Sequence, residues 1–150
     1  MGTDPRGPAK RGSDNPAGRT VPPHELAKVA LEDRDGVTVA TVSGEVDMSS
    51  VDRVAAVLTD LSNLAVGLVV DLRSVEYLDS SGISLLHDLA LRLRRRSQML
   101  IIVSPPGSPP RRMLELTAID AQAAVLEDVE AAIEVIRSAD EDGSVADGRV

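Results

Sequence analysis

The stretch Gly67-Leu68-Val69-Val70-Asp71-Leu72-Arg73-Ser74-Val75-Glu76-Tyr77-Leu78-Asp79-Ser80-Ser81-Gly82 decides the fold class. Its first six residues form an almost continuous apolar run, the mark of a strand buried on both faces. A polar loop is expected next. Ser80-Ser81-Gly82 then opens a helix with Ile83, Leu86, Ala90 and Leu93 on one stripe. A buried strand passing into an amphipathic helix is the unit of a parallel sheet with helical cover.

The same alternation continues on both sides. Upstream, Ala27, Val29 and Leu31 alternate, Asp35-Gly36 supplies a tight turn, and Val37, Val39 and Thr41 alternate again, which predicts a β-hairpin. Ser49-Ser50 can cap a helix carrying Val51, Val54, Leu58, Leu61 and Leu64. Downstream, Met99 to Val103 reads as a second buried strand. Ser108-Pro109-Pro110 starts a short helix, with Pro109 at the tolerated first position. Ala123 to Leu126 is a weak strand, and Asp128 can cap a last helix bearing Val129, Ala132, Ile133 and Ile136. The order is ββαβαβαβα, an α/β domain with a mixed, mostly parallel sheet.

That domain is expected to occupy residues 24–137. Residues 1–23 hold five of the nine prolines and four of the eleven glycines, and read as a disordered tail. Residues 138–150 read as an acidic tail, with Asp140, Glu141, Asp142 and Asp147 against Arg149.

Composition narrows the chemistry. The chain of 150 residues is 43% hydrophobic and has no cysteine, so disulfides and thiolate metal sites are excluded. Its two histidines, His24 and His87, lie far apart, and no metal or cofactor is expected. Tyr77 is the sole aromatic residue, too little for a base-stacking platform. A net charge of −8 opposes direct nucleic-acid binding. No apolar run approaches membrane-spanning length and no signal-peptide core is visible, so a cytoplasmic protein without membrane partners is expected.

Two segments could carry function. In Asp79-Ser80-Ser81-Gly82, local sequence alone favours plain helix capping, with the glycine giving room. In Ser43-Gly44-Glu45-Val46-Asp47-Met48, Gly44 reads as a turn and Asp47 as a helix-start carboxylate. A serine nucleophile is disfavoured. Gly-x-Ser-x-Gly is missing, and only His87, seven residues on, could serve as base. His87-Asp88 are helix neighbours that point apart. The Arg92, Arg94, Arg95 and Arg96 cluster reads as a solvated helix end. Pro105 to Pro110 reads as a stiff loop.

Taken together, the two segments resemble the signatures of the STAS family, the anti-sigma factor antagonists of bacterial partner-switching systems. Gly44-Glu45-Val46-Asp47 resembles the family's Gly-Glu-Leu-Asp, and Asp71-Leu72 followed by Leu78-Asp79-Ser80-Ser81-Gly82 resembles its phosphorylation-site signature. The resemblance covers about residues 27–137. It implies phosphorylation at Ser80 and partner binding by Gly44, Glu45, Asp47, Met48, Asp79, Ser80, Ser81 and Gly82. It further implies a non-enzymatic antagonist of stress-response transcription control, an anti-sigma factor of serine-kinase type as partner, and a phosphatase that resets Ser80. A phosphate-independent STAS subunit of a transport or sensory assembly is one alternative; a serine esterase, disfavoured by the missing Gly-x-Ser-x-Gly, is the other. The chain departs from the family at Arg94-Arg95-Arg96-Ser97, where many relatives have glycines, and at Leu116-Thr117-Ala118, after which no aromatic follows.

Overall fold

The computed structural model describes residues 27–61 and 66–141. The elements are β1 (Lys28–Arg34), β2 (Val37–Val46), α1 (Val51–Asp60), β3 (Gly67–Leu78), α2 (Ser80–Arg95), β4 (Met99–Val103), α3 (Pro109–Leu116), β5 (Ala124–Leu126) and α4 (Val129–Glu141). They form one five-stranded sheet in which spatial order equals chain order. β1 pairs antiparallel with β2, and the remaining pairs are parallel. Element order and class agree with the sequence reading.

The hairpin closes at Arg34↔Val37 through Asp35 and Gly36, both at positive φ (58° and 87°). This is the backbone that matches strand twist in a two-residue loop. The strand period of two then sorts side chains between two cores. Ala40, Val42, Leu68, Val70, Leu100 and Ile102 face α1, α2 and α3, while Val37, Val39, Val69, Ile101 and Val103 face α4. Both faces of β3 and β4 are therefore covered, which explains their unbroken apolar runs. Asp128 caps α4 by accepting from the Ala131 N–H at 2.7 Å, and Val129, Ala132, Ile133 and Ile136 are buried as expected.

Several expectations change. β3 does not end near Leu72 but continues to Leu78, so the segment expected to be a loop is strand. Its pairing with β2 shifts register between Thr41 and Ser43 and again between Gly44 and Glu45. These bulges put Leu72, Val75 and Leu78 on the buried side at a spacing of three, which hides the period of two in the sequence. Leu31 is 51% exposed, because β1 is an edge strand that puts only its start, Ala27 and Val29, against the core. Ser50 and Ser108 sit at the N-cap positions of α1 and α3, yet neither side chain makes a capping bond. α4 extends to Glu141, four residues into the stretch read as tail. Leu64, the tail of residues 1–23 and most of the acidic end fall outside the described residues.

Gly67 opens β3 where a Cβ would stand 2.6 Å from the Met99 carbonyl oxygen. That oxygen belongs to the neighbouring strand and cannot swing aside. Gly67→Ala is expected to lower stability by about 1–3 kcal/mol, as overpacking does. The urea midpoint should fall at unchanged m-value; an unshifted midpoint would show that the β3–β4 contact is looser than the structure indicates.

Candidate functional site

β2 and β3 run side by side beyond the end of β4, and both turn into helices at the same level. The last link is the Asp79 N–H donating to the Val46 carbonyl at 3.2 Å. The residue after β2, Asp47, and the residue after β3, Asp79, thereby become neighbours across a strand pair. The structure joins the two segments that the sequence reading singled out.

Each aspartate organises its own turn. Asp79 is the N-cap of α2, and its Oδ1 accepts from Ser81 N at 2.9 Å, Gly82 N at 3.3 Å and Ser81 Oγ at 2.5 Å. Two of the helix's first N–H groups are satisfied in this way. Ser81 is half-buried and its hydroxyl is committed to the cap. Ser80, at the first position of the helix, is exposed. Gly82 is buried against β2 and β3. A Cβ there would collide with Leu78 Cδ1 and stand 3.1 Å from Val46 Cγ1. The glycine lets the helix start lie directly on the strand ends.

Asp47 builds the second turn. Its Oδ1 accepts from Ser49 N at 2.9 Å and Ser49 Oγ at 2.7 Å, and its carbonyl accepts from Ser50 N and Val51 N. The Ser49 hydroxyl and N–H, with help from Ser50, hold the Asp47 carboxyl below its usual range. Ser50 is buried. Its hydroxyl donates back to the Glu45 carbonyl at 2.7 Å and accepts from Asp47 N at 3.1 Å, so it locks the turn rather than capping α1. Gly44, at φ 90°, occupies the bulge that lets β2 follow β3. Glu45 pairs with Tyr77, and Met48 projects at the turn with 80% exposure.

Two features escaped the sequence reading. Tyr77 is 51% exposed on the strand beside Glu45; its being the chain's sole aromatic residue was the available signal. Asp71 is 2% exposed and is gripped by Arg73, with Nε to Oδ1 at 3.0 Å and Nη2 to Oδ2 at 2.9 Å. Arg73 N also donates to Oδ1 at 3.0 Å. This bidentate pair sits at the bulge where β3 leaves β4, and satisfies a carboxylate that burial would otherwise penalise. His87 lies two helical turns beyond Ser80, and its Nδ1 is 3.1 Å from Gln122 Oε1. Among the described residues no group of acidic or histidine side chains could hold a metal ion, and no helix is long and apolar enough to cross a membrane.

The STAS domain family model matches residues 28–132, from β1 into α4, and includes every residue of this site. The chain belongs to the STAS family. Solved structures agree with the assignment. An anti-sigma factor antagonist from Mycobacterium paratuberculosis is similar at 27% identity and TM-score 0.64, over 74% of this chain and 94% of that one. The antagonist SpoIIAA in its unphosphorylated form is similar at 20% identity and TM-score 0.59, over 73% and 98% of the two chains. The Bacillus cell fate determinant SpoIIAA in its phosphorylated form gives 18% and 0.54, over 72% and 99%. This STAS domain therefore shares the fold of anti-sigma factor antagonists across nearly their whole length.

Asp79→Ala removes the acceptor of three bonds at the start of α2 and should cost about 1 kcal/mol of stability, whereas Asp79→Asn should recover most of it. Thermal melting followed by circular dichroism distinguishes the two; equal losses would mean that charge rather than acceptor geometry matters. Asp47 has a different signature. Because its folded carboxyl titrates below the unfolded one, its contribution is complete above about pH 4 and is lost as pH falls through the depressed folded value. Asp47→Asn is expected to flatten that part of the acid-unfolding curve by lowering stability slightly near neutral pH, with little change at pH values below the depressed folded one.

Proposed function

We propose that this STAS domain is a cytoplasmic anti-sigma factor antagonist whose binding is gated by phosphorylation of Ser80. The observation that carries the reading is the division of labour between adjacent serines. Ser81 Oγ is bound to Asp79, while Ser80 is exposed at the helix mouth. Similarity to antagonists, including one solved in both phosphorylation states, supports it.

In this reading the unphosphorylated domain captures an anti-sigma factor that is also a serine kinase, and a sigma factor is freed. The kinase then transfers the γ-phosphoryl group of ATP. A bond forms from Ser80 Oγ to phosphorus, the bridging bond to ADP breaks, and the hydroxyl proton passes to a base on the kinase. A phosphatase restores the hydroxyl by hydrolysis. The STAS domain is the substrate and binding module, not the enzyme. The Gly44–Met48 turn and exposed Tyr77 form the rest of the contact around Ser80, with Met48 and Tyr77 as apolar anchors.

The physics favours release without unfolding. A phosphoserine adds about −1.5 to −2 charges. At the start of α2 that charge meets the positive end of the helix dipole, worth up to about 1 kcal/mol at an exposed terminus. The fold has no reason to melt. A docked partner has reason to leave, because the site already carries Asp47, Glu76 and Asp79, and a dianion must be desolvated against it. A loss of about 3 kcal/mol weakens binding more than a hundredfold, enough to reverse a choice between competing partners.

The decisive experiment captures the partner from lysate with and without ATP, identifies it, and measures its affinity by calorimetry for both forms of the domain. Mass spectrometry should place phosphate on Ser80. Ser80→Ala should bind irrespective of ATP, and Ser80→Asp should bind poorly with an unchanged far-ultraviolet spectrum. Phosphate retained in Ser80→Ala would refute the site. Equal affinities of the two forms would favour a phosphate-independent STAS subunit.

A further inference from the structure

The far end of α2 carries a feature that the Ser80 site does not use. At 100° per residue, Ser80, Ser84, Leu91 and Arg95 share one face of this sixteen-residue helix, and all four are exposed. The face ends about 22 Å from Ser80 in Arg92, Arg94, Arg95 and Arg96. Four cations in five positions are conspicuous in a chain of net charge −8. One cation in the last turn would complement the helix dipole. Arg92 and Arg95, three positions apart, instead face each other as like charges, which destabilises an isolated helix. Among the described residues no ion pair joins Arg92, Arg94 or Arg95 to an acid.

The arginines also border a shape. Asp88, Leu91, Arg92, Arg95 and Arg96 line a shallow groove of about 380 Å³, and Leu91 is 43% exposed. An apolar side chain bordered by guanidinium groups is the pattern of a small protein-docking surface, with an apolar anchor and charge at the rim.

We propose that this half of α2 is a second docking surface, which takes an acidic protein segment whose own apolar side chain seats on Leu91. Charge complementarity selects the partner's sign. Two details select a protein segment over a polyphosphate or a lipid surface. Asp88 lies inside the groove, where it opposes a bare anion but can accept from a backbone or side-chain donor. Leu91 offers contact that a phosphate group cannot use.

The surface is independent of Ser80, and its test is arranged accordingly. The probe is a fluorescent peptide of sequence Glu-Glu-Leu-Glu-Asp-Leu-Glu-Glu, titrated with the full chain and read by anisotropy. Saturable binding is expected, weakening as salt rises from roughly 50 to 200 mM because the contact is partly exposed. Arg92→Glu with Arg95→Glu should weaken it at least tenfold, and Leu91→Ala at least threefold, with circular dichroism confirming the fold. Ser80→Asp should leave it unchanged, so this result stands or falls apart from the phosphorylation switch. Absence of saturable binding, or equal binding by the variants, would overturn the proposal. So would displacement of the peptide by tripolyphosphate, duplex DNA or phosphatidylglycerol vesicles at matched charge, since that would mark a general anion patch.

Discussion

The hydrogen bond from the Asp79 N–H to the Val46 carbonyl is the hinge on which the site depends. It is the last rung between β2 and β3, and it is made by the residue that also caps α2. One backbone contact therefore sets the level at which both strands stop, the direction in which the helix leaves, and the distance between the two aspartate turns. Gly82 is part of the same constraint. The helix start lies so close to Val46 and Leu78 that a side chain there would force the Leu78 side chain or the helix itself to shift. The exposure of Ser80 follows, because the next two N–H groups of α2 and the Ser81 hydroxyl are all directed inward to Asp79.

The reach of β2 and β3 beyond the other strands has its own cause. Continuing two paired strands past the edge of β4 leaves them with a helix-covered face and an exposed one, so their side chains must be re-sorted. The two register shifts perform that sorting. At the first, Arg73 turns back onto Asp71 and neutralises the buried carboxylate at the point where β4 no longer supplies a neighbour. At the second, Gly44 takes a positive φ that lets Glu45 and Tyr77 pair while Val75 and Leu78 stay inside. The exposed Tyr77 and Met48 are by-products of this geometry and give the acidic site an apolar component.

The core that holds this arrangement is wholly aliphatic. Valine, leucine, isoleucine and alanine fill both sides of the sheet, and β-branched residues dominate the strands where their stiffness fits the pleat. Such a core packs by shape, and the buried polar side chains beside it, Ser50, Asp71 and Ser104, each have a hydrogen-bonding partner. Ser80 itself is exposed at the start of α2, outside that core.

The sequence by itself determined the type and order of the elements. Apolar periodicity is a local property, and the Asp35-Gly36 turn and the Asp128 cap are written in adjacent residues. The signatures around Asp47 and Asp79 were legible for the same reason. Tertiary structure alone decided how far β3 runs, since its alternation is broken by bulges that depend on the partner strand. It alone decided that Ser50 turns its hydroxyl back to Glu45 and that Leu31 stays exposed. The Asp71–Arg73 pair was equally out of reach, because two charged residues in a row of strand residues do not reveal that one is buried and the other half-exposed. Whether a polar side chain caps, locks a turn or faces solvent is settled by what lies across the strand from it, and that neighbour comes from a different part of the chain.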